Sequence, residues 1–153
     1  MPVFETIQNL PFFVALRESA LVYPIVLATH LSGIALFGGA ILMTDLRLFG
    51  WAMADQPGPD VMAGLRTWKW AGLAVMAVSG VLLAGAKAAM YGGNPYFQLK
   101  MGLLALVGLH ALVFRRSALS MPRIAKVSAA LSLVLWLAIL CAGRLIAYYE
   151  PPR

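Results

Sequence analysis

The 153-residue chain carries two histidines, His30 and His110, and each lies inside a long apolar run. His30 sits in Ala28-Thr29-His30-Leu31-Ser32-Gly33, and no formally charged residue occurs from Ala20 to Met43. That run exceeds the ~20 apolar residues needed to cross a bilayer core. An ionisable ring at such depth is costly to bury, so it should face the protein interior and have a partner. Two neutral imidazoles facing each other inside a membrane bundle would make the axial ligand pair of a haem b, whose iron accepts imidazole nitrogen. The two propionates of a haem need cations. Lys100 and Arg144 are the embedded ones, and Arg144, in Cys141-Ala142-Gly143-Arg144, stays charged and needs an anion or carbonyls.

Each of these residues also has a plainer reading. His30 could simply hydrogen-bond a neighbouring helix. His110 is five residues before Arg115 and could lie near the headgroups, and Lys100 could snorkel to them. Arg144 could pair with Glu18 or Glu150 at the surface. Asp45 and Arg47 read as a solvated helix end. The eight methionines are scattered, with no Met-x-Met or Met-His cluster suited to copper. There is no Gly-rich phosphate loop and no nucleophile with a base at recognisable spacing. Cys141 is the only cysteine, which excludes an intrachain disulfide and thiolate-pair metal sites. It reads as a small buried residue.

The elements that would position these residues follow from composition. The chain is 61% hydrophobic and 12% charged, against about 25% charged in soluble domains, so it is read as one integral membrane domain. The net charge of +6 does not point to nucleic acid. The basic residues flank apolar runs, where they set orientation and meet anionic lipid headgroups. The first twenty residues lack the pattern of a signal peptide.

Residues 3–18, with Phe4, Ile7, Phe12, Phe13 and Leu16 on one side and Pro11 at a helix start, are expected to lie at the membrane interface. Ser19 is a candidate N-cap for the first span. Spans are expected at about 19–50, 67–92, 96–114 and 127–149. The prolines and glycine of residues 55–60 mark the clearest break, and YGGNP (residues 91–95) a tight turn. Connections this short make consecutive helices antiparallel neighbours. The expected fold is an all-α, integral membrane, antiparallel four-helix bundle with a short N-terminal interfacial helix.

Spans one and three then run parallel. At ~1.5 Å per residue, His30 lies roughly 16 Å below Ser19 and His110 roughly 21 Å below Tyr96, which leaves a shared depth open. Lys and Arg are richer at the end holding Arg47, Arg66, Lys69, Arg115, Arg116, Arg123 and Lys126. The positive-inside rule puts that end in the cytoplasm, with both termini, Lys100 and Arg144 on the periplasmic side of a bacterial inner membrane.

Three segments, residues 17–50, 94–106 and 131–150, carry Tyr-Pro before the histidine, Asp-Leu-Arg after the first span, Asn-Pro opening the third and Gly-Arg in the fourth. Together, over 67 of the 153 residues, they resemble an uncharacterised family of small bacterial four-helix membrane proteins. The resemblance implies topology and no activity. A looser similarity runs to the non-flavin membrane protoporphyrinogen oxidases, which have a histidine in an early helix and a lysine followed by a later histidine. Lys100 and His110 resemble that pair, but they stand ten positions apart with poorly matching flanks, so the oxidase activity is not carried over. The copper-resistance membrane proteins are similar in helix number, but their methionine and histidine clusters are absent.

Two functions are therefore expected as alternatives. One is a haem b protein passing electrons between the quinone pool and a periplasmic partner, with His30 and His110 on the iron and Lys100 and Arg144 at the propionates. The other is a non-catalytic accessory subunit packed against a larger membrane complex; the partners expected are membrane lipids, quinone, and a larger complex or a homodimer.

Overall fold

The computed structural model describes residues 2–117 and 122–149. Residues 118–121 of the link before the fourth span lie outside it, as do the side chains at 115–117 and 122. The tail from Glu150 to Arg153 also lies outside, and with it any pairing of Arg144 with Glu150. The described chain is all helical. Helices α1 (Pro2–Gln8) and α2 (Pro11–Glu18) precede α3 (Val22–Phe49), then α4 (Gly58–Gly64), α5 (Arg66–Ala86), α6 (Ala88–Gly92), α7 (Pro95–Ser117) and α8 (Pro122–Leu145), with a final 3-10 turn at Ile146–Tyr148. Four of these helices are long and apolar enough to cross a bilayer: α3, α5, α7 up to Phe114, and α8 running on from Arg123 to Tyr148. The protein is a multi-pass membrane protein whose four long helices pack antiparallel. One end of the bundle carries α1, α2, α6 and the 3-10 turn (the terminal end), and the other carries α4.

Helix α3 is 28 residues long, or about 42 Å at 1.5 Å per residue, against ~30 Å of hydrocarbon. It is therefore longer than the core is thick, a length that tilt or projection accommodates. Gly50 stops it in the left-handed conformation, φ 83°. The Gly50 N–H reaches the Arg47 carbonyl and the Trp51 N–H the Leu46 carbonyl, both at 3.0 Å, the paired bonds of a Schellman cap. At the other end the N-cap position falls on Leu21, which makes no side-chain cap, and not on the expected Ser19, whose hydroxyl nonetheless accepts the Val22 N–H at 3.1 Å.

The helices are arranged in the order α5, α3, α8, α7, with packed interfaces between successive members. The α3/α5 interface is backbone on backbone. A Cβ placed on Gly33 would lie 2.8 Å from the Met76 nitrogen, and one on Gly72 would lie 2.6 Å from the Phe37 nitrogen. Only glycine permits this reciprocal approach, the small-residue packing that holds helices together in lipid. Phe37 then meets Trp136 of α8 edge to face, ring centroids 5.2 Å apart, a favoured aromatic geometry.

Helix α7 is held more lightly. Lys100, Leu103, Leu104, Val107, His110 and Phe114 form its inward stripe, and no residue from Pro95 to Phe114 is fully buried. Its start is fixed by Asn94, which is wholly buried. The Asn94 Oδ1 accepts the N–H groups of Tyr96 (2.9 Å) and Phe97 (3.3 Å), and its Nδ2 donates to the Ile146 carbonyl at 3.1 Å. One side chain thus caps α7 and ties it to the end of α8.

Several features differ from the sequence expectation, and the fourth span begins at Arg123, ahead of the expected 127. Span two ends at Ala86, because Lys87 leaves the helix at φ −130°, ψ 35° before α6 begins. The single interfacial helix is two, α1 and α2. Phe13 packs on Gly85 and Phe4 on Gly92, positions where a Cβ would overlap the rings. The Arg17 guanidinium donates to the carbonyls of Ala86 (3.1 Å) and Gln8 (3.2 Å), placing a cation at the carbonyl end of α5.

Candidate functional site

His30 points from α3 toward α5. Its Nδ1 lies 3.0 Å from the Met76 carbonyl and 3.0 Å from Ser79 Oγ. A carbonyl can only accept, so in the neutral ring Nδ1 carries the proton. The Ser79 hydroxyl donates to the Val75 carbonyl, so its oxygen can share the same Nδ1–H. Nε2 is therefore left as the lone-pair nitrogen, the arrangement that orients an imidazole to accept a proton or bind a metal. Glycine at position 80 makes room for the ring, since a Cβ there would stand 3.1 Å from His30 Cε1. Ser79 is buried at 3% exposure, and His30 is half-buried.

Lys100 comes to the same level from α7. It is half-buried and crosses α8 at Gly143, its Nζ 3.7 Å from where a Cβ would be, and it interacts electrostatically with His30. It is turned into the bundle, whereas snorkelling would have carried it out to the headgroups. No carboxylate pairs with it among the described residues.

Tyr23, seven residues before His30 and so on the same face, stands above it toward the terminal end. The Lys87 Nζ lies 5.0 Å over the Tyr23 ring, within cation–π range. Tyr91 stacks on Phe97 at 5.1 Å. Burial, with the Tyr23 hydroxyl beside it, pushes the Tyr91 phenol up to about 12, so it is a neutral hydrogen-bonding group. His30 and Lys100 thus influence each other inside the bundle, and the Tyr23–Tyr91–Lys87 cluster lies further toward the terminal end.

His110 is elsewhere. Its Nε2 bonds Ser128 Oγ of α8 at 3.1 Å, and its ring tilts against Phe114 at 5.0 Å. The two histidines therefore address different helices. Along α3, the Phe37–Trp136 contact is seven residues below His30, and Asp45, facing Ser132, is fifteen below. Ser128 lies one further turn toward the α4 end. The two imidazoles are thus separated by on the order of 20 Å along the bundle. One iron between them does not fit this placement.

Arg144 does not join them either. It is exposed, and its Nη2 donates to the Tyr148 hydroxyl one turn on, with the guanidinium 4.8 Å over that ring. Cys141 is exposed on the outer face of α8, in contrast to the buried position expected for a lone cysteine in an apolar helix.

Asp45 is likewise not part of the solvated helix end that its neighbour Arg47 suggests. It is 6% exposed, while Arg47 alone turns outward to the Gln56 carbonyl. The signal lies in Gly33, Ala40 and Thr44, spaced seven and four apart and all buried. That stripe of small residues carries the inward face of α3 as far as Asp45.

A family model matches residues 19–149, covering all four long helices. The chain belongs to DUF6644, a family of unknown function. No curated protein and no solved structure matches it. What a DUF6644 chain does must accordingly be argued from the site.

Proposed function

We propose that this protein binds the polar headgroup of a membrane-dissolved quinol or quinone between His30 and Lys100. The observation that carries the reading is the fixed Nδ1–H tautomer of His30. It leaves Nε2 as an acceptor on a ring that the charge of Lys100 reaches, and the Lys100 ammonium is a donor with no carboxylate partner among the described residues. A quinol hydroxyl matches the acceptor and a quinone carbonyl the donor. An apolar tail also has somewhere to go. A groove of about 380 Å³ runs between α3 and α5, lined by Val26, Thr29, Val75, Val78, Ser79 and Leu82, and Ser79 is shared between this groove and His30.

The test is saturable binding of a short-chain ubiquinone analogue to protein in lipid nanodiscs, with quinone assayed in an extract of the purified protein. Each hydrogen bond to a charged group contributes about 1.5–3 kcal/mol, so Lys100→Met should weaken binding roughly ten- to a hundredfold. Absence of quinone from the extract together with non-saturable titration rejects the reading.

The same tautomer favours one competing occupant, a haem held through His30 alone with Lys100 at a propionate. Haem-replete protein that shows a Soret band, lost in His30→Ala, would select it.

A further inference from the structure

At the α4 end of the bundle lies a second cluster of buried polar groups. Asp45 of α3 is 6% exposed, and its Oδ2 has no hydrogen-bond partner among the described residues. Ser132 of α8 presents its hydroxyl to the same carboxyl, and the charge of Lys69 on α5 reaches it. Helix α4, the other element packed on this part of α3, contributes buried Val61. Ser132 is 8% exposed, and Ser128, one turn further along the same face of α8, is 7% exposed. Ser128 bonds His110 Nε2 of α7.

Two titratable groups, one on α3 and one on α7, are therefore each set against a buried hydroxyl on one face of α8. Four residues of helix separate the serines by about 6 Å along the axis, too far for a direct bond and suited to one bridging water. A buried carboxylate needs partners for both oxygens, whereas a protonated carboxyl needs only one acceptor; here Lys69 supplies a charge within reach but Oδ2 has no hydrogen bond among the described residues.

We infer that Asp45 and His110 form a proton-exchange pair coupled through Ser132 and Ser128. Asp45 Oδ2 takes up a proton from water at the α4 end, where Arg47 and Gln56 already meet solvent, and returns it there. No further reactant is needed. The carboxyl is the proton-binding group, the serines are the hydrogen-bonded link, and His110 is the second acceptor. The Phe37–Trp136 contact and the buried Leu135 and Ile139 separate this pair from His30 and Lys100. The inference therefore stands whatever occupies that other site.

The experiment is infrared difference spectroscopy of the whole protein in nanodiscs across about pH 5 to 8, paired with ¹⁵N NMR of the histidine rings. As pH falls, a carboxylic acid C=O band should appear that is missing in Asp45→Asn, a neutral replacement of the same shape. In Ser132→Ala the band should remain but shift in frequency, because its hydroxyl partner is gone. The His110 titration should move in Asp45→Asn, and in Ser128→Ala it should become insensitive to Asp45. If no band is assignable to Asp45 in that range, or if His110 titrates identically in wild type and Asp45→Asn, the pair does not exist.

Discussion

Gly72→Ala tests whether the glycine contact between α3 and α5 is what sets the His30 tautomer. The added Cβ would start 2.6 Å from the Phe37 nitrogen and 3.0 Å from its Cα. Both are backbone atoms, so no side chain can swing aside. Ordinary contact begins near 3.4 Å, and 3.4 less 2.6 means that the helices must part by 0.8 Å. Met76 is one turn from Gly72 on the same helix, so its carbonyl moves with it. Its 3.0 Å bond to His30 Nδ1 would lengthen to about 3.8 Å, past the range of a hydrogen bond.

The expected result of Gly72→Ala is a loss of about 1–3 kcal/mol of stability, read by steric trapping in bicelles. In ¹⁵N spectra the protonated Nδ1 of His30 should give way to a mixture of tautomers. Gly39→Ala is the control, since nothing stands within 4 Å of its Cβ, and helix propensity alone would make it neutral or slightly favourable. If Gly72→Ala is as stable as Gly39→Ala and keeps the Nδ1 signature, the close approach does not govern the site.

Asn94→Ala removes a buried cap with three bonds and should cost on the order of 2–3 kcal/mol, with hydrogen exchange rising first in the opening turn of α7. Arg144→Met, at an exposed arginine bonded among the described residues to the turn that follows it, should change stability by no more than about 0.5 kcal/mol and leave quinone affinity at its wild-type value. Arg17→Met withdraws the guanidinium from the Ala86 and Gln8 carbonyls, so amide exchange over residues 2–18 should accelerate while the spanning helices keep their protection. A wild-type exchange pattern would mean that Phe13 and Phe4 alone hold these helices down.

The four spans are legible in the sequence because a run of about twenty apolar residues matches the thickness of a bilayer core, and the breaks at DQPGPD and YGGNP are chemically plain. The site is only partly legible. His30 announces itself as an ionisable group in a run without charges. Its partner, however, is a backbone carbonyl at Met76, and carbonyls leave no mark on a sequence. Lys100 near a helix end reads the same whether it snorkels out or folds across a glycine, and only the opposing Gly143 decides. Asp45 and Arg47 look alike as a charged pair, yet two residues on a helix differ by about 200° in direction, and that rotation puts one inside and the other in solvent.

The light attachment of α7 has a consequence for how the molecule comes into being. Helices α3 and α5 meet across reciprocal glycines and form a complete hairpin before α7 is made. Helix α7 finds its place through α8, through the Asn94 cap on Ile146, and through a single inward stripe. The second hairpin therefore assembles on the first at the Phe37–Trp136 seam, and Lys100 arrives only with it. In a nascent chain released before α8 emerges, His30 would already hold its tautomer against Met76 and Ser79 while the cation opposite was still unplaced. Pairing of His30 with Lys100 thus depends on hairpin docking and not on membrane insertion alone.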